Sequence, residues 1–285
     1  MHDANLYVGL IEQQDVEDAF IQTYWARAKD FGGAIELMLE AARANGLETP
    51  DVKEIDPYDI QNLTAEVKPS REARVFWNPT RYRFPPEGAF QIPYGVVPSC
   101  IEEDGDCASD ITEGYKTYTE ENGLIRIEVN VERAGLVSLY ERLLCQCNNY
   151  KVFWYLLHDH WDEKDDAFLI NESLNTPAKI MRHLQENELD SVLNGLVTLT
   201  SYRAEGDTNF NISDHKRIII TTYAPDVAAE CRAVLTKLEY PEAADLVSID
   251  HRIHHWHYRH PNSRSREELI RHLGSIGFSD WKPGA

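Results

Sequence analysis

Basic side chains are scarce in this sequence. Only 28 Lys and Arg stand against 48 Asp and Glu, a formal net charge of −20. That deficit argues against non-specific nucleic-acid binding, which neutralises phosphates with Lys and Arg. It argues equally against adhesion to an anionic membrane surface. Long apolar runs are missing too: none approaches the roughly 20 residues that span a bilayer. Residues 1–5 carry neither a basic region nor an apolar stretch of secretory type. The five cysteines, Cys100, Cys107, Cys145, Cys147 and Cys231, are odd in number and thinly spread. Such usage fits a reducing compartment better than a disulfide framework, so a cytoplasmic location is expected. Cys145 and Cys147 are spaced too closely for a zinc knuckle. No nucleophile elbow, P-loop, dinucleotide fingerprint or His-Glu-x-x-His motif occurs.

The length of 285 residues and apolar content of 42% support a folded chain with a sizeable core. Its charge is uneven. Residues 1–150 carry 13 basic and 27 acidic side chains, residues 151–285 carry 15 and 21. Hydrophobic patterning predicts strands over 6–11, 19–26 and 52–55, with a helix after Asp30 that Gly46 ends. The same order recurs at 196–202, 217–223, a helix from Pro225, and a strand at 246–250. This pattern reads as a weak internal repeat of a β-β-α-β unit. Further strands are expected over 124–131, 151–162 and 167–170, with helices over 136–144, from Pro177, and from Ser265, whose capping box includes Glu268. Residues 78–98 hold five prolines, which excludes an ordinary helix or central strand.

These patterns predict an α+β fold: a mixed, mostly antiparallel sheet with helices packed on one face. Two subdomains are expected, 1–115, with a Pro-rich irregular segment, and 122–285, separated by an acidic, turn-rich stretch.

Histidine is concentrated. His251, His254, His255, His257 and His260 fall within ten residues, and His158 and His160 form a smaller group, so that seven of eleven histidines lie in two clusters. Histidine is the commonest metal ligand and titrates near neutrality. If 151–162 is one strand, His158, His160 and Asp162 share a face, with the two imidazoles about 7 Å apart along it. His255 and His257 form a second such pair, and alternation puts His254 and His260 on the opposite face. Neighbouring strands would bring four imidazoles together as ligands for a divalent transition metal such as zinc, with Asp162 as a further donor. Residues 207–211 begin like a calcium loop, but Ile212 and Ile218 occupy the positions where an EF-hand needs glycine and a bidentate glutamate. They are expected to form a turn between strands.

Two functions follow from these features. The first is a non-catalytic acidic binding protein, an inhibitor or immunity-type protein covering a basic partner such as a toxin nuclease. Glu102, Glu103, Asp104, Asp106, Asp162, Glu163, Asp165 and Asp166 would face that partner, with no cofactor. The second is a metal-dependent hydrolase using His158, His160, His255 and His257.

Overall fold

The computed structural model describes residues 5–13, 20–58, 74–83, 90–98, 111–162, 164–251, 255–260 and 262–281. The chain divides into two compact units: residues 1–89 with 97–108, and residues 90–96 with 109–285.

The first unit contains four antiparallel strands, β1 (Asn5–Gln13), β2 (Phe20–Ala28), β3 (Pro50–Pro57) and β4 (Val75–Arg83), in the order β3-β1-β2-β4. Helix α1 (Phe31–Ala44) packs on one face of this sheet. Asp30 caps it by accepting from the Gly33 N–H, and Gly46, at φ +88°, ends it in the left-handed region. Gly9 supplies the close approach. A Cβ there would sit 2.5 Å from Met38 Sδ, so any larger residue would force the buried Met38 side chain to move. Tyr7, Ile11, Tyr24 and Ile55 form the core beneath α1 with Ala34, Met38 and Ala42. Leu6, Trp25 and Phe76 cluster separately. β4 is an edge strand, and its register with β2 shifts between Gln22 and Tyr24. Pro79 lies in that irregular stretch, where its missing N–H disturbs no central ladder.

β5 (Val96–Pro98) spans the boundary of the two units. The second unit is built on an eight-stranded antiparallel sheet in the order β14-β9-β8-β10-β11-β12-β7-β6. Its strands are β6 (Gly114–Thr119), β7 (Ile125–Asn130), β8 (Val152–Leu157), β9 (Ala167–Asn171), β10 (Val197–Arg203), β11 (Thr208–Ile212), β12 (Ile218–Thr222) and β14 (Ser279–Asp280). β13 (His255–His257) is a short strand outside this sheet. Helices α2 (Leu136–Leu144), α3 (Pro177–Glu186), α4 (Pro225–Lys237) and α5 (Arg266–Ser275) join the sheet in one core.

The period of two along the strands explains which side is covered. Phe153, Tyr155 and Leu157 of β8, Leu199 of β10, Phe210 and Ile212 of β11, and Ile127 and Val129 of β7 are buried against the helices. Leu139, Leu143, Ile180, Cys231, Leu235 and Leu269 meet them from the helical side. The fold is therefore α+β with antiparallel sheets, as the patterning predicts. The capping box of α5 is present, and Thr176 caps α3 ahead of Pro177.

Three local expectations are corrected. Residues 207–211 are not a turn: Thr208–Ile212 is β11, with Thr208, Phe210 and Ile212 buried and Asn209 and Asn211 on the other face. Asn211 accepts from Thr200 Oγ1 at 2.6 Å, and Asn209 donates to Thr221 Oγ1 at 3.2 Å, so polar residues there belong to the ladder. β11 consequently separates β10 from β12, and the second half of the expected repeat does not reproduce the strand adjacency of the first. Nor is 246–250 a strand. Ile249–His251 is a single 3-10 turn, held where Arg217 pairs with Asp250. The expected strand over 151–162 stops at Leu157, and 158–162 turns back, with the Trp161 N–H donating to His158 O at 3.1 Å and Asp162 at φ +60°.

Candidate metal centre

The antiparallel order brings four chain segments to one end of the central strands in the second unit. β8 ends there at Leu157, and β10 begins there at Val197. β11 ends at Ile212, and β12 begins at Ile218. The connection between them is tight. The Ser213 N–H donates to Arg217 O at 2.9 Å, the Lys216 N–H donates to Ser213 O at 3.0 Å, and Lys216 takes φ +58°. This turn presents Asp214 and His215. The residues after β8 present His158 and His160, and β13 presents His255 and His257.

Two groups of donors converge: His215, His255 and His257, and beside them His158, His160 and Asp214, each set with its ligand atoms within 4.8 Å of one another. The groups adjoin, since the His160 and His257 rings are 4.6 Å apart between centroids. Within the first, His215 lies 4.6 Å from His255 and 4.7 Å from His257, and the β13 pair is 5.1 Å apart. Within the second, the His158 and His160 rings stack at 5.2 Å.

The supports of these rings decide which nitrogens face inward. His215 Nδ1 is 3.0 Å from Asp214 Oδ1 and 3.3 Å from Asp250 Oδ1. Its proton therefore belongs on Nδ1, leaving the Nε2 lone pair pointed at His255 Nε2, 2.8 Å away. His257 Nδ1 donates to Gly195 O at 2.5 Å, which likewise frees its Nε2. An imidazole whose far N–H is held by a carboxylate or carbonyl is the arrangement metal-binding histidines use. Two ligand nitrogens on a tetrahedral zinc lie roughly 3.3 Å apart, so a shift of a few tenths of an ångström admits an ion between His215 and His255. Thr198 Oγ1 accepts from the Asp214 N–H at 3.0 Å and lies 2.8 Å from His158 Nε2. Asp214 Oδ2 is 3.9 Å from that nitrogen.

For His257 and His158 the electrostatics fit this reading, while His215 is shifted the other way. Burial pushes His257 down to about 3. It also lowers His158, against the opposing charge of Asp214. Both rings are thus neutral at pH 7, the form that binds metal. Burial would raise the Asp214 carboxyl, but the His215 hydrogen bond and the charges of His215, His158 and His257 bring it well below the usual range. Burial would lower His215, yet its hydrogen bond to Asp214 and the charges of Asp214 and Asp250 raise it. Behind the turn, Lys216 is fully buried. Burial pushes it down to about 7, and its Nζ donates to Val197 O at 3.2 Å and Ser191 O at 3.4 Å. Arg217, also buried, bonds Glu128, Asn130 and Asp250, anchoring the carboxylate that faces His215.

The four histidines named from sequence, His158, His160, His255 and His257, come together, although His158 and His160 do so from a turn and not by strand alternation. Asp162 joins neither group, and it is exposed. His260 lies apart, its Nδ1 accepting from the Asn262 N–H at 3.0 Å. The side chains of His251 and His254 lie outside the described residues. Asp214, His215, Asp250 and Gly195 were not anticipated. One signal was available: the dipeptide Asp-His occurs at 159–160, 214–215 and 250–251. Among the acidic positions expected to face a partner, Glu102, Glu103, Asp104, Asp106 and Glu163 lie outside the described residues. Asp162, Asp165 and Asp166 are exposed, and Asp165 O accepts from Arg266.

No family model, curated protein or solved structure matches this chain. No helix among the described residues is long and apolar enough to cross a membrane.

Proposed function

We propose that this protein is a metal-dependent hydrolase whose second unit holds a divalent transition ion on His215, His255 and His257. One observation carries the reading: His215 and His257 each have Nδ1 engaged by a carboxylate or carbonyl, which leaves Nε2 of both as the free donor, in a group whose ligand atoms lie within 4.8 Å of one another. An all-imidazole set suits zinc and its neighbours in the transition series. An ion held by three imidazoles would lower the pKa of a bound water toward neutrality and polarise a substrate oxygen. The protein's own groups orient the ligands. Asp214 and Asp250 hold the His215 proton, Gly195 O holds that of His257, and Arg217 keeps Asp250 in place.

The test is metal analysis of the untagged full chain, followed by hydrolysis of generic ester and phosphoester reporters before and after chelation. About one equivalent or more of zinc, iron or manganese, with activity lost on chelation and restored by the ion, supports the proposal. A chain that neither retains nor takes up these ions refutes it.

A second reading, a non-catalytic inhibitor of a basic partner, is supported by the net charge of −20 and by the exposed Asp162, Asp165 and Asp166. Capture of a basic protein at low salt, abolished by Asp165→Asn with Asp166→Asn, would support it. Capture unaffected by these changes would count against those residues.

A further inference from the structure

We infer that the centre takes two divalent ions, the second held by His158, His160 and Asp214. This inference rests on the reading of His215, His255 and His257 as the first ligand set. The second set is chemically distinct, two imidazoles and one carboxylate, a mixture that suits zinc or manganese. Its members come from the turn after β8 and from the β11–β12 turn, which also supplies His215 to the first set, while β13 serves the first set alone.

Asp214 links them. Its Oδ1 lies 3.0 Å from His215 Nδ1, on the side of that ring away from His255, while Oδ2 faces His158 Nε2 at 3.9 Å. One carboxylate therefore orients a ligand of the first ion and is itself a ligand of the second. Its backbone is fixed, because the Asp214 N–H donates to Thr198 Oγ1. Thr198 Oγ1 also lies 2.8 Å from His158 Nε2, so one hydroxyl touches both the Asp214 backbone and the ring, and an ion taken up through Nε2 replaces that contact. His160 closes the group. It stacks on His158, lies 4.6 Å from the His257 ring between centroids, and its Nδ1 is 3.8 Å from Asp159 Oδ1. His160 is the exposed member of the set, and the second ion is accordingly the more accessible to solvent and substrate. Adjacent ions clamp the attacking and departing oxygens of a displacement, which is the use two-ion sites make of such proximity.

The experiment is equilibrium dialysis of the metal-stripped, untagged full chain against Zn2+ alone, with ions per chain counted by mass spectrometry and folding checked by circular dichroism. Wild type is expected to bind two ions. His160→Ala, an exposed position, should bind one, and His160→Gln serves as a second variant of the same design. His255→Ala should also retain one, on the second set. Asp214→Asn should weaken both, the second by at least tenfold. Two ions bound by wild type and still two by both His160 variants would overturn the assignment of the second ion. One ion in wild type, unchanged by His160→Ala and lost in His255→Ala, would overturn the second site while leaving the first intact. No bound ion in wild type would overturn both.

Discussion

His215 Nε2 stands 2.8 Å from His255 Nε2, while His215 Nδ1 faces the carboxylates of Asp214 and Asp250. Removing an orienting carboxylate costs a metal site roughly 10- to 100-fold in affinity. Asp250→Asn keeps the shape of the side chain and removes its charge. It is expected to weaken zinc binding by about that factor, measured by competition with a chromophoric chelator. Unchanged affinity would mean that Asp250 does not act through His215.

Zinc should stabilise the fold. An ion that binds only the native state adds about 2.7 kcal/mol at a free concentration 100 times its dissociation constant. Thermal unfolding of the metal-stripped chain should shift upward with added Zn2+ and return when a chelator is added. His255→Ala should reduce the shift, and a zinc-independent transition would contradict the assignment.

The pH dependence of stability should carry a signature of His183, which is buried in the second unit and belongs to neither donor group. Its Nε2 is 2.9 Å from Tyr155 Oη, Asn187 Nδ2 lies 3.3 Å from its Nδ1, and burial pushes it down to about 4. In the unfolded chain it titrates near 6.5. Between those values the unfolded state binds the extra proton, so stability is complete above about pH 6.5 and is lost as the pH falls toward 4. The full effect is about 3 kcal/mol. Urea unfolding at pH 7 and 4.5 should show a smaller loss in His183→Gln than in wild type, and equal losses would refute the linkage.

Gly195→Ala should damage both the fold and the centre. A Cβ at Gly195 would lie 1.7 Å from Gly95 O, and the Gly195 carbonyl is the group that holds His257 Nδ1. The two backbones must separate, a steric conflict expected to cost about 2–3 kcal/mol or more. Urea unfolding reads the stability, and zinc affinity should fall in the protein that remains folded. Normal stability in Gly195→Ala would show that this approach of the two backbone segments is not required.

The α+β class was legible because amphipathic periods and caps are local. Asp30, Thr176 and Ser265 start helices where their side chains meet the first free N–H groups. What could not be read locally was where strands end and which neighbours they choose. Asn209 and Asn211 look like turn residues, yet the outer face of a half-covered sheet accepts polar side chains, and they lie within β11. His158 lies beyond the end of β8, since the next residues bend to bury Trp161.

By itself, the sequence determined that the chain folds, that it is strongly acidic, and that histidine gathers at 158–160 and 251–260, since composition and spacing need no partners in space. Only the tertiary structure decided that these segments meet. It also recruited Asp214, His215 and Asp250 and excluded Asp162 and His260. The physical reason is that a ligand set is a matter of distance and of which ring nitrogen carries the proton. Both depend on an antiparallel sheet that brings the ends of β8, β10, β11 and β12 together across as much as 60 residues of chain.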